Sequence, residues 1–387
     1  MTPGARVAAA IEILDQIIEG SSAEQVLTRW ARRNRFAGSK DRAAIRDHVF
    51  DVLRCWRSAA LLGGARTGRG LMIGILRRRG IEPSSLFTGD GHAPPQLMAH
   101  ETAATDRSLP RAARLDLPDW LILQFDASLG ADSERTALAL QERAPVSIRV
   151  NNLKTDTYGA ILMLRESGIE VRANPLSPTA LTLVEGERKL RNASVYTDGF
   201  VELQDASSQA VVDALPPATR MLDYCAGGGG KALASAARRS AEVFAHDIDP
   251  ARMADLAPRA ARAGAAITQL ASSQLPGEAP FDLVLVDAPC SGSGSWRRAP
   301  EAKWRLTPER LEELTGIQDD ILDAAAGLVR VGGTLAYATC SVLQCENDAR
   351  IDAFLSRHKD WHCSLRKMFA VDENGDGFFT AHLTQKT

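Results

Sequence analysis

Two cysteines carry the first chemical signal in this sequence. One stands in Asp287-Ala288-Pro289-Cys290-Ser291-Gly292-Ser293-Gly294 and the other in Thr339-Cys340-Ser341. Each follows a short β-rich run, Phe281–Val286 and Thr334–Ala338, so both are expected at strand ends. A lone cysteine in an apolar stretch is usually inert packing. Two at neighbouring strand ends, one close after an aspartate, can do covalent chemistry together. A thiolate, a carboxylate and a methyl donor are the set needed to methylate C5 of a pyrimidine. C5 of cytosine is a poor nucleophile, but thiolate addition at C6 makes it enamine-like and able to take a methyl group. A carboxyl group near N3 and the amino group balances the charge that develops. The thiol must ionise, which calls for surroundings that lower its pKa. The base must leave its stack to reach the site.

A third motif offers a place for a cofactor. Asp223-Tyr224-Cys225-Ala226-Gly227-Gly228-Gly229-Gly230-Lys231 joins a strand to a helical run, so a ligand can approach the backbone and meet a helix N-terminus. It is not a phosphate-binding P-loop, because Ala232 follows Lys231 where Ser or Thr is required. Asp247 ends the next strand, 17 residues after Gly230, where a carboxylate can accept from ribose hydroxyls. Dinucleotides and S-adenosylmethionine both satisfy this pattern.

Elements that must position these groups can be read along the chain. From 219 onward, Met221–Tyr224, Glu242–His246, Ala266–Leu270, Phe281–Val286 and Thr334–Ala338 alternate with alanine-rich helical segments. That alternation implies an α/β, Rossmann-like, mainly parallel doubly wound sheet, with ligands at the carboxyl ends of its strands. Upstream, Ser147–Asn151 and Ala180–Val184 read as strands and Tyr158–Ser167 as a helix, giving a small α+β subdomain. Residues 5–60 read as helices, with Ser22 placed to cap Ala23–Arg33 and the glycines of 63–70 breaking the pattern. The expected organisation is a basic helical domain over 1–80, a linker with short helices over 81–131, a small α+β subdomain over 132–205 and the α/β domain over 206–387.

Composition narrows the class. Apolar residues are 45% and charged residues 24% of the 387, which excludes a disordered chain or a coiled coil. No apolar run is long enough for a membrane span, and the cysteines lack metal-ligand spacing, so a reduced, cytoplasmic protein with neither membrane nor metal is expected. Net charge is −2, yet residues 1–80 hold 15 Lys+Arg against 7 Asp+Glu, an electrostatic footprint for an anionic partner. Arg29, Arg32, Arg33, Arg35, Lys40 and Arg42 are its core.

Taken as a set, these motifs resemble the Nol/Nop/Sun, or RsmB-like, family of RNA cytosine-5 methyltransferases over about residues 130–385. Cys225–Lys231 departs from the family loop at Gly227 and Gly228, which should loosen it and lower cofactor affinity. The resemblance implies S-adenosyl-L-methionine as cofactor, held by Cys225, Ala226, Gly227, Gly228, Gly229, Gly230, Lys231, Asp247 and Asp287, with Ser272 standing where another acid is usual. It implies Cys340 as the nucleophile, Cys290 as the group assisting release, Asp287 on the cytosine edge and Lys231 beside them. Arg297-Arg298-Ala299-Pro300-Glu301-Ala302-Lys303-Trp304, Gln318, Glu346-Asn347 and Asp376-Gly377-Phe378-Phe379 also fit. Phe36–Arg42 and Val49–Arg54 are similar to the NusB-like domain of bacterial ribosomal RNA members. The implied partner is RNA, ribosomal first and transfer RNA as the alternative, acted on by a monomer. A non-catalytic RNA-binding assembly factor is the competing class.

Overall fold

The computed structural model describes residues 1–102, 108–238 and 241–386, so part of the segment expected as a linker lies outside the described residues. The chain divides into two compact units. The first comprises Met1–Asp126, Ala131–Arg143 and Trp296–Arg305, and the second Ala127–Gly130, Ala144–Ser295 and Leu306–Thr387.

Helices α1 (Pro3–Ile18), α2 (Ala23–Arg33), α3 (Ser39–Arg54), α4 (Trp56–Gly63) and α5 (Gly68–Arg78) build the first unit. Val7, Ile13, Leu14, Ile45, Val49, Val52, Leu71 and Leu76 meet in its core, as helical spacing predicts. The helical region runs past the glycine patch, because those glycines do more than interrupt it. A Cβ at Gly74 would lie 1.8 Å from the Ala59 carbonyl oxygen, so α4 and α5 touch backbone to backbone. Ser22 occupies the N-cap of α2, but its side chain caps nothing. Glu301 Oε2 instead accepts from the Ala23 N–H at 3.2 Å.

Glu301 lies on α6 (Pro300–Arg305), a helix that the sequence places among the catalytic motifs. Trp304 Nε1 donates to the Leu53 carbonyl (2.6 Å), Lys303 Nζ to the Arg54 carbonyl (3.1 Å) and Arg54 Nε to the Arg297 carbonyl (2.7 Å). The orphan carbonyls at the end of α3 and the N-terminus of α2 are satisfied this way. Burial pushes the Lys303 ammonium down to about 8, against the pull of Asp116.

The second unit holds two sheets. β1 (Ser147–Val150), β2 (Glu170–Ala173), β3 (Ala180–Glu185) and β4 (Val201–Leu203) form an antiparallel sheet in the order β2-β3-β1-β4. The larger sheet contains β5 (Arg220–Asp223), β6 (Glu242–Ala245), β7 (Ile267–Gln269), β8 (Phe281–Asp287), β9 (Val329–Thr339), β10 (Trp361–Phe369) and β11 (Phe378–Gln385). Its order is β10-β11-β9-β8-β5-β6-β7, parallel from β9 to β7 and antiparallel at β10 and β11. The doubly wound α/β expectation holds. Strand order reverses between β5 and β8, where ligands bind such sheets. Leu222, Val284, Val286, Leu335, Tyr337 and Phe379 fill the core around these central strands.

Candidate active site

Every residue singled out for the site belongs to the second unit, and most stand at the carboxyl ends of β5, β6, β8 and β9. The loop after β5 turns through Gly229, whose φ of +77° is left-handed and whose Cβ would strike Leu256 at 2.2 Å. Only glycine satisfies both demands. Asp247, just past β6, is buried; its Oδ2 accepts from the Gly227 N–H at 2.9 Å and its Oδ1 from the Asp249 N–H at 3.0 Å. These bonds tie the glycine loop to the end of β6. Ile248 next to it is 82% exposed, an apolar face left for a flat ring.

Lys231 lies at the start of the helix Gly230–Ala237, yet it is buried. Its Nζ reaches Asp287 Oδ2 at 2.5 Å and sits 5.2 Å from the Phe378 ring centroid. Burial alone would lower this ammonium's pKa, but Asp287 and Asp223 hold it above its ordinary value. A surface lysine would need no such partners.

Asp223 was quoted in the loop motif but given no part. It is fully buried, and neither carboxylate oxygen has a hydrogen-bond partner among the described residues. Burial first, then the nearby Asp287 charge, pushes its carboxyl up to about 7, with Lys231 opposing.

Cys290 Sγ and Cys340 Sγ are 3.5 Å apart. The Cys340 thiol is pulled below its usual range, chiefly by the hydrogen bond from Cys290, with Lys231 helping against burial and Asp287. Cys290, half-buried, is pushed up, first by its hydrogen bond with Cys340 and then by desolvation. The two thiols are thus biased in opposite directions, Cys340 towards ionising and Cys290 towards keeping its proton. Cys225 is also pushed up by burial, which makes it an inert thiol of the loop. All six cysteines are free.

A buried carboxylate fixes both cysteine loops. Glu346 accepts from the Ser291 N–H (2.7 Å), Ser291 Oγ (2.5 Å), Ser341 Oγ (2.5 Å) and Gln318 Nε2 (3.2 Å). Asn347 accepts from Thr339 Oγ1 at 2.6 Å and donates to the Ser341 carbonyl at 2.9 Å. The Gly294 N–H donates to the Cys340 carbonyl at 2.9 Å. The resemblance marks Gln318 and Glu346-Asn347 without giving them a part, and spacing could not join them because the donors come from three separate stretches of chain.

Ser272 stands after β7, where its Oγ is 2.9 Å from His246 Nε2. His246 Nδ1 is 2.8 Å from the Tyr224 carbonyl, which can only accept, so Nδ1 carries a proton. In the neutral ring Nε2 then accepts from Ser272, leaving the serine oxygen's lone pairs as acceptors. None of the histidines was assigned a role from the sequence, and only the fold brings this one between two strand ends.

A glycine turn, a buried carboxylate at the end of the second strand with an exposed apolar neighbour, and an unpartnered Asp223 beneath the loop fit S-adenosylmethionine. Strand order and site together define an S-adenosylmethionine-dependent class I methyltransferase. Residues 211–384 match the family described as 16S rRNA methyltransferase RsmB/F, and residues 117–188 match its ferredoxin-like domain. The Ribosomal RNA small subunit methyltransferase B of Citrobacter koseri is 30% identical over 97% of this chain and 98% of its own length. The Escherichia coli enzyme of the same name is 29% identical over the same shares. The chain therefore belongs to the RsmB/F family of RNA methyltransferases. Among solved structures, PH0851 superposes with a TM-score of 0.77 over 100% of this chain and 99% of its own, at 23% identity. NSun6 from Pyrococcus horikoshii, solved with the S-adenosylmethionine analogue SFG, gives 0.62 over 70% of this chain and 99% of its own, at 19% identity. Both likenesses concern the fold.

Proposed function

We propose that this enzyme methylates C5 of a cytosine in small-subunit ribosomal RNA through a covalent Cys340–C6 adduct. The observation that carries the reading is the 3.5 Å approach of Cys290 and Cys340 at the ends of adjacent parallel strands. Cys340 attacks as the thiolate, forming the S–C6 bond and making C5 nucleophilic. Asp287, held by Lys231, accepts from the cytosine amino edge, and the Lys231 ammonium offsets the negative charge that thiolate addition puts on the ring. Bound S-adenosylmethionine supplies the electrophilic methyl group. Asp247, Ile248 and the amides of 226–230 would hold it, with Ser272 as a further acceptor. The C5 proton then leaves to solvent. Cys290, the protonated partner, donates a hydrogen bond to the Cys340 sulfur as it leaves C6 as the thiolate, giving aromatic 5-methylcytosine and the enzyme with its proton still on Cys290.

The helical head supplies affinity. Arg29, Arg32, Arg33, Arg35, Lys40 and Arg42 are exposed, and among the described residues none has a side-chain hydrogen bond or ion pair. Most other arginines of the unit are paired, Arg46 with Glu24 and Arg69 with Glu101 for example. Phe36, 74% exposed, lies in the same stretch. Free cations with an exposed aromatic suit a phosphate backbone and an unstacked base. The division we infer is a basic NusB-like head at 1–80, a linker at 81–131, an RNA-binding subdomain at 132–205 and the catalytic domain at 206–387. All site residues come from one chain, so a monomer suffices. We infer a cytoplasmic enzyme, a reading supported by its likeness to bacterial small-subunit methyltransferases.

Bisulfite sequencing of total RNA, with and without the gene, tests the substrate. Loss of one 5-methylcytosine in small-subunit ribosomal RNA is expected. A loss confined to transfer RNA, or no loss at all, contradicts the proposal.

A further inference from the structure

The first unit contains a cavity that the catalytic account does not use. About 550 Å³ in volume, it is lined by Trp56, Arg57, Arg66, Asp119, Trp304 and Arg305 among others. A second cavity of about 340 Å³ shares Trp56, Arg57 and Arg66 with it, so the two form one groove along α4. We propose that this groove is a subsite for one or two unstacked nucleotides of single-stranded RNA, the bases against Trp56 and Trp304 and a phosphate on Arg66.

Three observations carry this. The first is aromatic. The Trp56 and Trp304 ring centroids are 6.5 Å apart at 43°, and both rings line the cavity. Trp304 is held in place, since its Nε1 donates to the Leu53 carbonyl at 2.6 Å and the Lys303 ammonium lies 4.6 Å from its ring centroid. Fixed indoles are stacking surfaces for any base, because every base has a π-face.

The second is charge. Both carboxylates of the groove are already neutralised: Asp119 by Arg57 at 2.9 Å, and Glu301 by Arg305 at 2.6 Å. Arg66 is exposed and makes no hydrogen bond or ion pair among the described residues. One guanidinium thus remains uncompensated beside two indoles. A guanidinium with a planar fork suits a phosphate, and a peptide or second copy would have to bring its own acid to meet it. A cavity of this size holds a small polar-aromatic ligand such as a nucleotide.

The third is the chain path. Glu301, Trp304 and Arg305 of the groove lie on α6, in the ten-residue segment that directly follows the Cys290 loop, whose last residue is Ser295. A nucleotide held there contacts the segment that continues the Cys290 loop in sequence. Substrate RNA near the target cytosine must be single-stranded for that base to be extruded, so unstacked neighbours are available to fill the groove. The proposal rests on the RNA-methylating reading and names where a neighbouring part of that substrate binds.

The test is fluorescence anisotropy of a labelled single-stranded oligoribonucleotide with the full-length protein, titrated from 50 to 200 mM salt. Arg66→Ala should weaken binding about fivefold at low salt and reduce the salt slope by about 0.7. Trp56→Ala should weaken it about tenfold, and Trp56→Phe, which keeps an aromatic face, should recover most of the loss. Wild-type affinity and slope in both Arg66→Ala and Trp56→Ala overturn the subsite, whether the groove takes a peptide, a second copy or nothing. Methyl transfer by the wild-type protein in the same preparation separates the two readings. Transfer with unchanged variant binding removes the subsite alone.

Discussion

At the scale of single residues, two pairs of like groups are biased in opposite directions for the proton. Cys290 and Cys340 share one hydrogen bond, and the fold biases which sulfur keeps the proton. Asp223 and Asp287 flank one lysine, and only Asp287 makes the ion pair. Asp223 is left as a carboxyl that keeps its proton to about 7, against an ordinary 3.8. Between those values the unfolded chain ionises it and the folded chain does not, so the native state loses stability as pH rises from about 4 to about 7. Asp223→Asn mimics the protonated form and removes that loss. Thermal melts should show the variant's gain over wild type small at pH 4, growing to a plateau above pH 7. A gain that does not change with pH would contradict this protonation state. The cysteines and Asp287 were legible because strand-end residues of a parallel sheet face the ligand. Asp223 was not, since nothing in its spacing reports full burial without a partner.

Among elements, the decisive join is the one between the loops after β8 and β9. Glu346 receives Ser291 from one and Ser341 from the other, with Gln318 from the helix Pro308–Ala326 closing the set. Charge-assisted bonds of this kind contribute about 1.5–3 kcal/mol each when buried. Glu346→Gln replaces an acceptor-only group by one that must also donate, which sets its amide against the Ser291 N–H and the two hydroxyls. Stability should fall by about 2–4 kcal/mol, and kcat for methyl transfer by about tenfold or more as the sulfurs lose alignment. Urea unfolding and tritiated-methyl transfer measure the two. Full activity in a destabilised variant would make Glu346 purely structural. The five parallel strands could be read from their β-rich runs between helices. β10 and β11 could not, because the evenly buried β11 and the mostly exposed β10 lack clean alternation. α6 was read beside the catalytic motifs, and its place in the first unit depends on contacts with α2 and α3 more than 240 residues away.

For the whole molecule, a net charge of −2 conceals a cationic head. Arg29, Arg32, Arg33, Arg35, Lys40, Arg42 and Arg66 of the helical unit are exposed and have no partner among the described residues, so its contribution to RNA binding should be largely electrostatic. Arg32→Ala with Arg33→Ala should weaken RNA binding similarly across sequences and lower the slope of log K against log salt by about 1.4 for single-stranded RNA. Methyl transfer at saturating RNA should be unchanged, since both arginines belong to the first unit and every site residue to the second. A changed rate at saturation would show that the head does more than bind.

The central claim is that Cys340 bonds to the cytosine and Cys290 releases it. Its most direct measurement is a denaturing gel of the protein incubated with S-adenosylmethionine and substrate RNA. Cys290→Ala should accumulate a slow-migrating protein–RNA adduct, and adding Cys340→Ala to it should abolish that band together with methyl transfer. An adduct that accumulates in Cys340→Ala while Cys290→Ala turns over normally would contradict the assignment and reverse the two roles.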